Sequence, residues 1–200
     1  MRGRPKKLDA EILLDVAIDA YWKADPADVS VNTVCQLAAV SKPSVYREFG
    51  SEDGLTKAAL DRYADNVLGD VFNILERGDR LGEILAKLVE FACDDPRLAT
   101  GCMFYKMRNG KHRFGPETQA RIETLDHAAE DAYRAVLHRC RAEGDDLGGI
   151  PVDTGAHYLG AQIGLAIMQR AAGESSEQVR ASLELALSVF SNQRRGDALV

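Results

Sequence analysis

The sequence predicts an all-α fold of about nine helices, with an N-terminal three-helix domain at residues 1–50 and a larger helical domain at residues 51–195. Apolar residues recur at spacings of three and four along most of the chain, and no segment sustains the alternation typical of a strand. Two short helices joined by a three-residue turn are indicated near residue 40, which is the pattern of a helix-turn-helix motif.

The first two helices have recognisable starting points. Asp9 can accept hydrogen bonds from the free N–H groups of a first helix that runs to about Lys23. After the break ADPAD, Ser30 is expected to cap a second, shorter helix that ends near Ala38.

The third helix lies in SKPSVYREFG, residues 41–50. The Ser41 hydroxyl is expected to cap it, and Pro43 is tolerated because a first-turn residue needs no intrahelical donor. Val45 and Phe49, four residues apart, should point inward. The outer surface is then left to polar or charged side chains: Lys42, Ser44, Tyr46 and Arg47. A second helix of this kind in a helix-turn-helix lies in the DNA major groove.

The remaining helices follow from apolar spacing and breaks. Ser51 should cap a helix over residues 52–77, and further helices are predicted near 79–94, 96–109, 117–143, 151–173 and 175–192. These segments form the predicted regulatory domain.

Composition indicates a folded, cytoplasmic protein. The chain is 46% hydrophobic and 28% charged, and we expect no membrane span and no secretion signal. Its net charge of -6 arises after Gly50, because residues 1–50 hold seven basic and seven acidic residues while the remainder holds 18 and 24. The basic arm that includes Arg4 and Lys6 could lie in a DNA groove.

No cofactor or metal is expected. Cys35, Cys93, Cys102 and Cys140 are scattered without a C-x-x-C pair or a Cys/His cluster, so we predict reduced and mostly buried thiols. No arrangement of a nucleophile and a base indicates an enzyme. Asp153 and His157, one helical turn apart, are interpreted as a surface ion pair.

The run SVNTVCQLAAVSKPSVYREFGSEDGL, residues 30–55, resembles the DNA-binding signature of the tetracycline-repressor (TetR) family. The resemblance is specific over about residues 8–60. It implies a homodimeric repressor that binds a palindromic operator in double-stranded DNA and is released by a small-molecule effector. One position departs from the family pattern: Ala39 stands where glycine is usual, and alanine resists positive φ.

The resemblance also assigns contacts to DNA. Arg47 is expected to read a guanine edge, and Tyr46 to donate to a backbone phosphate. Ser30 and Lys57 are further phosphate candidates. The full set predicted to contact DNA is Arg4, Lys6, Ser30, Lys42, Pro43, Ser44, Tyr46, Arg47 and Lys57.

A dimer surface is expected over residues 151–192. Small residues would let another helix approach closely, and larger apolar residues would supply contact area. The residues predicted to form it are Gly160, Gly164, Ile167, Leu183, Leu187 and Phe190. The alternative, in which these residues pack only within their own chain, stays open.

A ligand pocket is expected between the N-terminal DNA-binding domain and the dimer surface, because flexible, polarizable and aromatic side chains are concentrated there. Its predicted lining is Cys102, Met103, Phe104, Met107, Phe114, His127, Tyr133 and Tyr158, although an ordinary core uses the same residue types. Effector binding would then move the fourth helix and change the separation of the two recognition helices. The alternative function is a redox sensor that uses Cys102 or Cys93, with Lys106 lowering the thiol pKa; a helical-bundle enzyme is a remote third.

Overall fold

A computed structural model describes residues 9–191, and these residues form ten α-helices and no strand. In chain order they are α1 (Ala10–Lys23), α2 (Val31–Leu37), α3 (Lys42–Phe49), α4 (Glu52–Tyr63), α5 (Gly69–Glu76), α6 (Leu81–Asp94), α7 (Met103–Asn109), α8 (Pro116–Ala142), α9 (Val152–Ala171) and α10 (Ser176–Leu187). Counting α4 and α5 as one continuous helical segment gives the nine helices predicted. The all-α fold is therefore confirmed.

The helix starts show how local sequence sets the boundaries. Asp9 accepts hydrogen bonds from the Glu11 and Ile12 amides, at 3.1 and 3.3 Å. Ser30 caps α2 through the Thr33 amide, at 3.2 Å, and Ser51 caps α4 in the same way. Each cap satisfies a donor that the helix itself leaves free.

The helix predicted over residues 52–77 is interrupted by one π-helical turn. The regular helix α4 ends at Tyr63, Ala64–Leu68 form the π turn, and α5 begins at Gly69. Such an inserted turn shifts the side-chain register of α5 relative to that of α4. No signal in the apolar spacing predicted it.

The described chain divides into two units. The first comprises the described residues through Asn66 together with Met103–Thr124, and the second comprises Val67–Cys102 together with the described residues from Leu125 onward. In the first unit the N-terminal helices therefore pack with α4, α7 and the beginning of α8. The boundary at residue 50 stays a prediction about function, since packing groups the chain differently.

The core of the first unit lies where α1 packs against α4. The Tyr21 hydroxyl lies 3.2 Å from Thr56 Oγ1, and the Trp22 and Tyr63 rings meet edge to face with centroids 4.8 Å apart. The other buried side chains here include Leu13, Ala17, Val31, Val34, Val45, Leu55, Ala59 and Leu60. This core supports α2 and α3.

In the second unit α6, α9 and α10 pack against one another. Their buried faces include Ile84 and Leu88 on α6, Leu159 and Ile163 on α9, and Val179 on α10. None of the described helices is both long enough and apolar enough to cross a lipid bilayer.

Candidate nucleic-acid interface

The helix α3 presents its side chains in four rows, because residues four apart on a helix lie above one another. Val45 is completely buried and Phe49 half-buried, so they fix the inner face as predicted. Arg47 lies opposite this face, one turn after Pro43, and is exposed. Lys42 and Tyr46 form one flank; Ser44 and Glu48 form the other.

On one flank of α3, Lys42 and Tyr46 contact each other. The Lys42 ammonium lies over the Tyr46 ring, 5.5 Å from its centroid, at a distance typical of a cation–π contact. Tyr46 is 37% exposed while its ring is held by this contact. This arrangement places a positive charge and a hydroxyl donor at the same edge of the helix.

The start of α3 differs from the sequence-based prediction. Ser41 is the N-cap residue, but its side chain caps no backbone N–H. Instead its hydroxyl lies 2.8 Å from the Ser44 hydroxyl, and the helix begins through Ser44 and Val45 amides that donate to the Ser41 carbonyl. The expected side-chain cap is wrong because the neighbouring hydroxyl one turn later is a competing partner.

The turn before α3 contains a strained residue. Ala39 has a φ of 54°, in the left-handed region that favours glycine, the residue usual at this position. The turn is closed by the Ala39 amide, which donates to Gln36, and by the Val40 amide, which donates to Cys35 at 3.0 Å. The helix-turn-helix geometry is therefore kept despite the alanine.

The N-terminus of α2 is held by a residue that no sequence motif indicated. Glu52, in the first turn of α4, accepts from the Val31 amide at 2.7 Å. The Ser30 hydroxyl, the other cap, also lies 3.1 Å from Thr33 Oγ1. The predicted phosphate contact of Ser30 would therefore have to share a hydroxyl that already caps α2.

The other predicted DNA contacts lie outside α3. Lys57 on α4 is partly exposed and forms an ion pair with Asp61, at 2.9 Å. Arg121 donates to the same carboxylate, which gives Asp61 two cationic partners. Arg4 and Lys6, in the basic arm, lie outside the described residues.

Residues 106–118, which are distant in sequence from the N-terminal helices, contact them at three points. In α7, Lys106 donates to the Trp22 carbonyl at 2.6 Å, at the end of α1. Arg113 donates to Asp25 at 2.8 Å in the loop before α2. Asp53 accepts from the Thr118 amide at 3.2 Å and thereby caps α8 from the first turn of α4.

The third attachment depends on a close approach. A Cβ on Gly115 would lie 2.4 Å from the Asp53 carboxyl carbon, so a larger residue would displace the cap. Sequence reasoning could not find this contact, because Asp53 caps a helix that begins more than 60 residues later.

In the second unit, most residues of the predicted dimer surface are already buried. Gly164, Ile167, Leu183, Leu187 and Phe190 pack within the chain's own core, and Gly160 is half-buried. A Cβ on Gly160 would lie 3.2 Å from the Tyr133 ring. These residues therefore make contacts within their own chain, and their place in a dimer surface stays a prediction. The exposed apolar side chains on the same helices are Leu165, Met168 and Leu185.

The predicted ligand residues are divided between the units. In the first unit Met103, Phe104 and Met107 are buried and Phe114 is half-buried.

In the second unit Cys102 and Tyr133 are buried, and burial raises the pKa of Tyr133. His127 is exposed, while the Tyr158 hydroxyl donates to the Ala186 carbonyl at 3.0 Å. Which of these residues meet a ligand stays a prediction.

A cleft of about 1010 Å³ lies in the second unit, along α5, α6 and the 3₁₀ turn Pro96–Thr100. None of the predicted ligand residues lines it. Its wall is largely charged, and one arginine there, Arg97, is bound to Asp70 at 2.6 Å and to Asp95. The cleft therefore differs in character from the apolar pocket that the sequence predicts.

No protein-family model matches the chain. ComR of Escherichia coli K12, an HTH-type transcriptional repressor, is 36% identical over 64 residues, which cover 32% of this chain and 30% of ComR, so the match spans less than a third of that relative. BdcR, a second HTH-type transcriptional repressor of the same organism, is 27% identical over 144 residues, 70% of this chain and 73% of BdcR.

The likeness extends to solved structures. A cysteine mutant of the TetR family transcriptional regulator CifR, complexed with 26bp double-strand operator DNA, is similar with a TM-score of 0.75 at 19% identity, over 94% of this chain and 100% of that one. This likeness shows the fold. Together with the helix-turn-helix geometry of α2 and α3, it shows that the chain has the fold of TetR family transcriptional regulators, and the curated relatives that the chain resembles are HTH-type transcriptional repressors.

Proposed function

We propose that this regulator is a repressor that binds a palindromic operator as a homodimer, with one α3 in the major groove of each half-site, and that a small-molecule effector releases it. The observation that carries the proposal is the outer surface of α3, where Arg47 stands exposed opposite the buried Val45. The CifR complex with operator DNA supports the same mode of binding for this fold.

Arg47 is the proposed reader of a base. No ion pair engages it among the described residues, and it occupies the crest of the helix. An arginine in this position can donate two hydrogen bonds to the O6 and N7 atoms of guanine. Lys42, Pro43, Ser44 and Tyr46 flank it, and the hydroxyls and ammonium among them are suited to phosphates or neighbouring bases.

The first test measures sequence discrimination. Fluorescence anisotropy would compare the inverted repeat beside the protein's own gene with a scrambled duplex. Arg47→Ala should reduce the ratio of the two affinities by about 5- to 150-fold, the loss of one bidentate contact. Arg77→Ala, an exposed arginine of the second unit, removes the same charge and should leave the ratio unchanged. An unaltered ratio in Arg47→Ala would refute the assigned role.

Homodimerisation is proposed through the outward faces of α9 and α10. Leu185 is 74% exposed and Leu165 50% exposed, and each lies on the side of its helix opposite the buried residues. Exposed apolar side chains on adjacent, packed helices are typical of an interaction surface. Two-fold pairing is what a palindromic operator requires.

The dimer can be tested without DNA. Leu185→Glu should shift the mass measured by analytical ultracentrifugation from dimer to monomer, because it places a carboxylate in the proposed contact. Ala86→Glu, on the exposed face of α6, is the matched control and should remain dimeric. A wild-type monomer at micromolar concentration, or a dimeric Leu185→Glu, would contradict the proposed surface.

Release by an effector requires that a compound binding this protein also weakens operator binding, by about 1–3 kcal/mol of coupling. The helical segment that runs from α4 through the π turn into α5 joins the two units covalently, and we propose that it transmits the change. Because coupling is reciprocal, operator DNA should weaken effector binding by the same factor. A ligand without this reciprocity would not be the effector.

The alternative of a cysteine sensor receives less support. All four cysteines are buried, and burial raises the pKa of the Cys93 thiol, which disfavours the reactive thiolate. The Lys106 ammonium, expected to activate Cys102, donates to the Trp22 and Ala24 carbonyls. A peroxide-dependent loss of operator binding that Cys102→Ser abolishes would restore this alternative.

The enzyme alternative gains no support from Asp153 and His157, which lie one helical turn apart on α9. Asp153 accepts from Arg134 at 2.7 Å, so the ion pair expected between Asp153 and His157 is replaced by one between α8 and α9. The relatives that the chain matches are regulators and not enzymes.

A further inference from the structure

We infer that Glu48, an acidic residue on α3 not included among the predicted DNA contacts, determines operator specificity by accepting a hydrogen bond from an exocyclic amino group of a base, and that this base is cytosine. The inference rests on the proposed function, since it requires α3 to enter the major groove. It adds a specificity determinant that bulk electrostatics would not suggest.

The position of Glu48 brings it to the DNA. The eight residues of α3 rise about 12 Å along the helix axis, which equals the width of the major groove, about 12 Å. If α3 lies across the groove, its last turn therefore remains within the groove's width together with its first turn. Glu48 is exposed in that last turn and lies next to Arg47, the crest of the helix.

The charge of Glu48 is not neutralised within the described part of the chain. No cation lies within ion-pair distance of its carboxylate there. Lys42 is committed to the ring of Tyr46 on the opposite flank of the helix. Arg47 points away from Glu48 by the 100° that separates consecutive residues of an α-helix.

An unpaired carboxylate on this surface has few acceptable partners. Phosphate oxygens repel it, and the O6 and N7 atoms of guanine and the O4 atom of thymine are acceptors that offer it nothing. In the major groove only the amino groups of cytosine and adenine donate, and cytosine N4 is the established partner of an acidic side chain. On the flank that Glu48 shares with Ser44, the carboxylate therefore recognises hydrogen-bond donors on the bases. Arg47 recognises hydrogen-bond acceptors on the bases.

The adjacent positions of Glu48 and Arg47 constrain the operator sequence. Arg47 selects guanine and Glu48 selects cytosine, so each half-site should contain a guanine and a cytosine at nearby positions. A guanine or thymine at this position has no amino group in the major groove and would leave the carboxylate facing an acceptor. Glu48 then acts against incorrect sequences as well as for the correct one.

The test is selection of bound duplexes from a pool randomised over about two helical turns, roughly 20 base pairs. Wild type, Glu48→Ala and Glu48→Gln would be compared, with Glu83→Gln, an exposed acid on α6 in the second unit, as the control for a change of one charge. Glu48→Ala should lose the cytosine preference at one position of each half-site, by about 5- to 150-fold, and keep the others. Glu48→Gln should transfer that preference to adenine, because glutamine pairs with adenine N6 and N7.

The opposite outcome is equally specific. If Glu48 only repels the DNA backbone, both variants should bind every duplex more tightly by a common factor and select the same sequences as wild type, which would overturn the inference. If the wild-type protein selects no sequence at all, the proposed operator binding fails as well. Circular dichroism of each variant distinguishes a lost contact from a lost fold.

Discussion

Replacing Ala39 by glycine should stabilise this protein, although glycine usually weakens a fold. Ala39 is the one non-glycine residue with positive φ in the described part of the chain, and it is exposed, so its Cβ makes no buried contact that glycine would lose. An L-residue in the left-handed region costs about 1–2 kcal/mol. Glycine removes this strain but adds about 0.5–1 kcal/mol of unfolded-state freedom. The net gain should be about 0.5–1 kcal/mol.

The adjacent residue supplies the control. Ala38 has φ −84° and ψ −5°, a right-handed conformation in which alanine is unstrained. Ala38→Gly should therefore lose about 0.5–1 kcal/mol. Two substitutions with the same chemistry, one residue apart, are thus expected to have opposite signs.

Urea unfolding followed by circular dichroism measures both variants. A gain of 1 kcal/mol also corresponds to a rise in Tm of about 2–4 °C for a chain of this length. If Ala39→Gly is no more stable than wild type, or if both variants shift in the same direction, the turn is not strained in the way described.

Three further predictions use the same measurement. A Cβ on Gly54 would lie 2.0 Å from the Phe49 carbonyl oxygen, so Gly54→Ala should cost about 1–3 kcal/mol. Gly82→Ala, with open space around it, should gain up to about 1 kcal/mol; equal effects would contradict the close approach. Asp53→Ala removes acceptors from the α8 amides and the Thr118 hydroxyl and should cost about 1–3 kcal/mol, more than removal of the exposed Asp9 cap of α1, and the reverse order would contradict the cap. Hydrogen bonds from Arg97 lower the pKa of Asp95 below its usual 3.8, so the stability that Asp95 contributes is present at neutral pH and is lost as the pH falls below that value. Asp95→Asn should therefore be less stable than wild type near neutral pH, and the difference should shrink as the pH falls below 3.8; a difference that does not change with pH would exclude this linkage.

Local sequence predicted those features that depend on local contacts. The caps at Asp9, Ser30 and Ser51 each join residues two or three apart, and all three are present. The inward direction of Val45 follows from helical periodicity alone.

Apart from the Ser41 cap and the π turn, which are local, the features that sequence missed depend on which elements meet. Asp53 caps α8, and Glu52 holds the first amide of α2; neither partner is near in sequence. The residues predicted for the dimer surface show the same dependence on packing. Ile167 and Leu183 have the apolar character of an interface, but the packing of α6 against α9 and α10 decides that they face inward.

A net charge of -6 does not prevent a chain from approaching DNA when its acids are already paired. In the first unit Asp15 is bound to Arg62 at 2.9 Å and Asp25 to Arg113 at 2.8 Å. A pair that is neutral over a few ångströms contributes little field beyond the Debye length of about 8 Å at physiological salt.

The charge presented by α3 is then decided by its own residues. Lys42 and Arg47 are basic, and Glu48 is the acid that lacks a partner among the described residues. Affinity for phosphate alone would be served best by a helix without that acid, since each added positive contact releases counterions and strengthens binding to every sequence. Under the proposed role of Glu48, a helix that keeps an unpaired carboxylate beside its arginine would gain discrimination at the expense of non-specific affinity, which would be useful to a protein that must distinguish one operator from the rest of the genome.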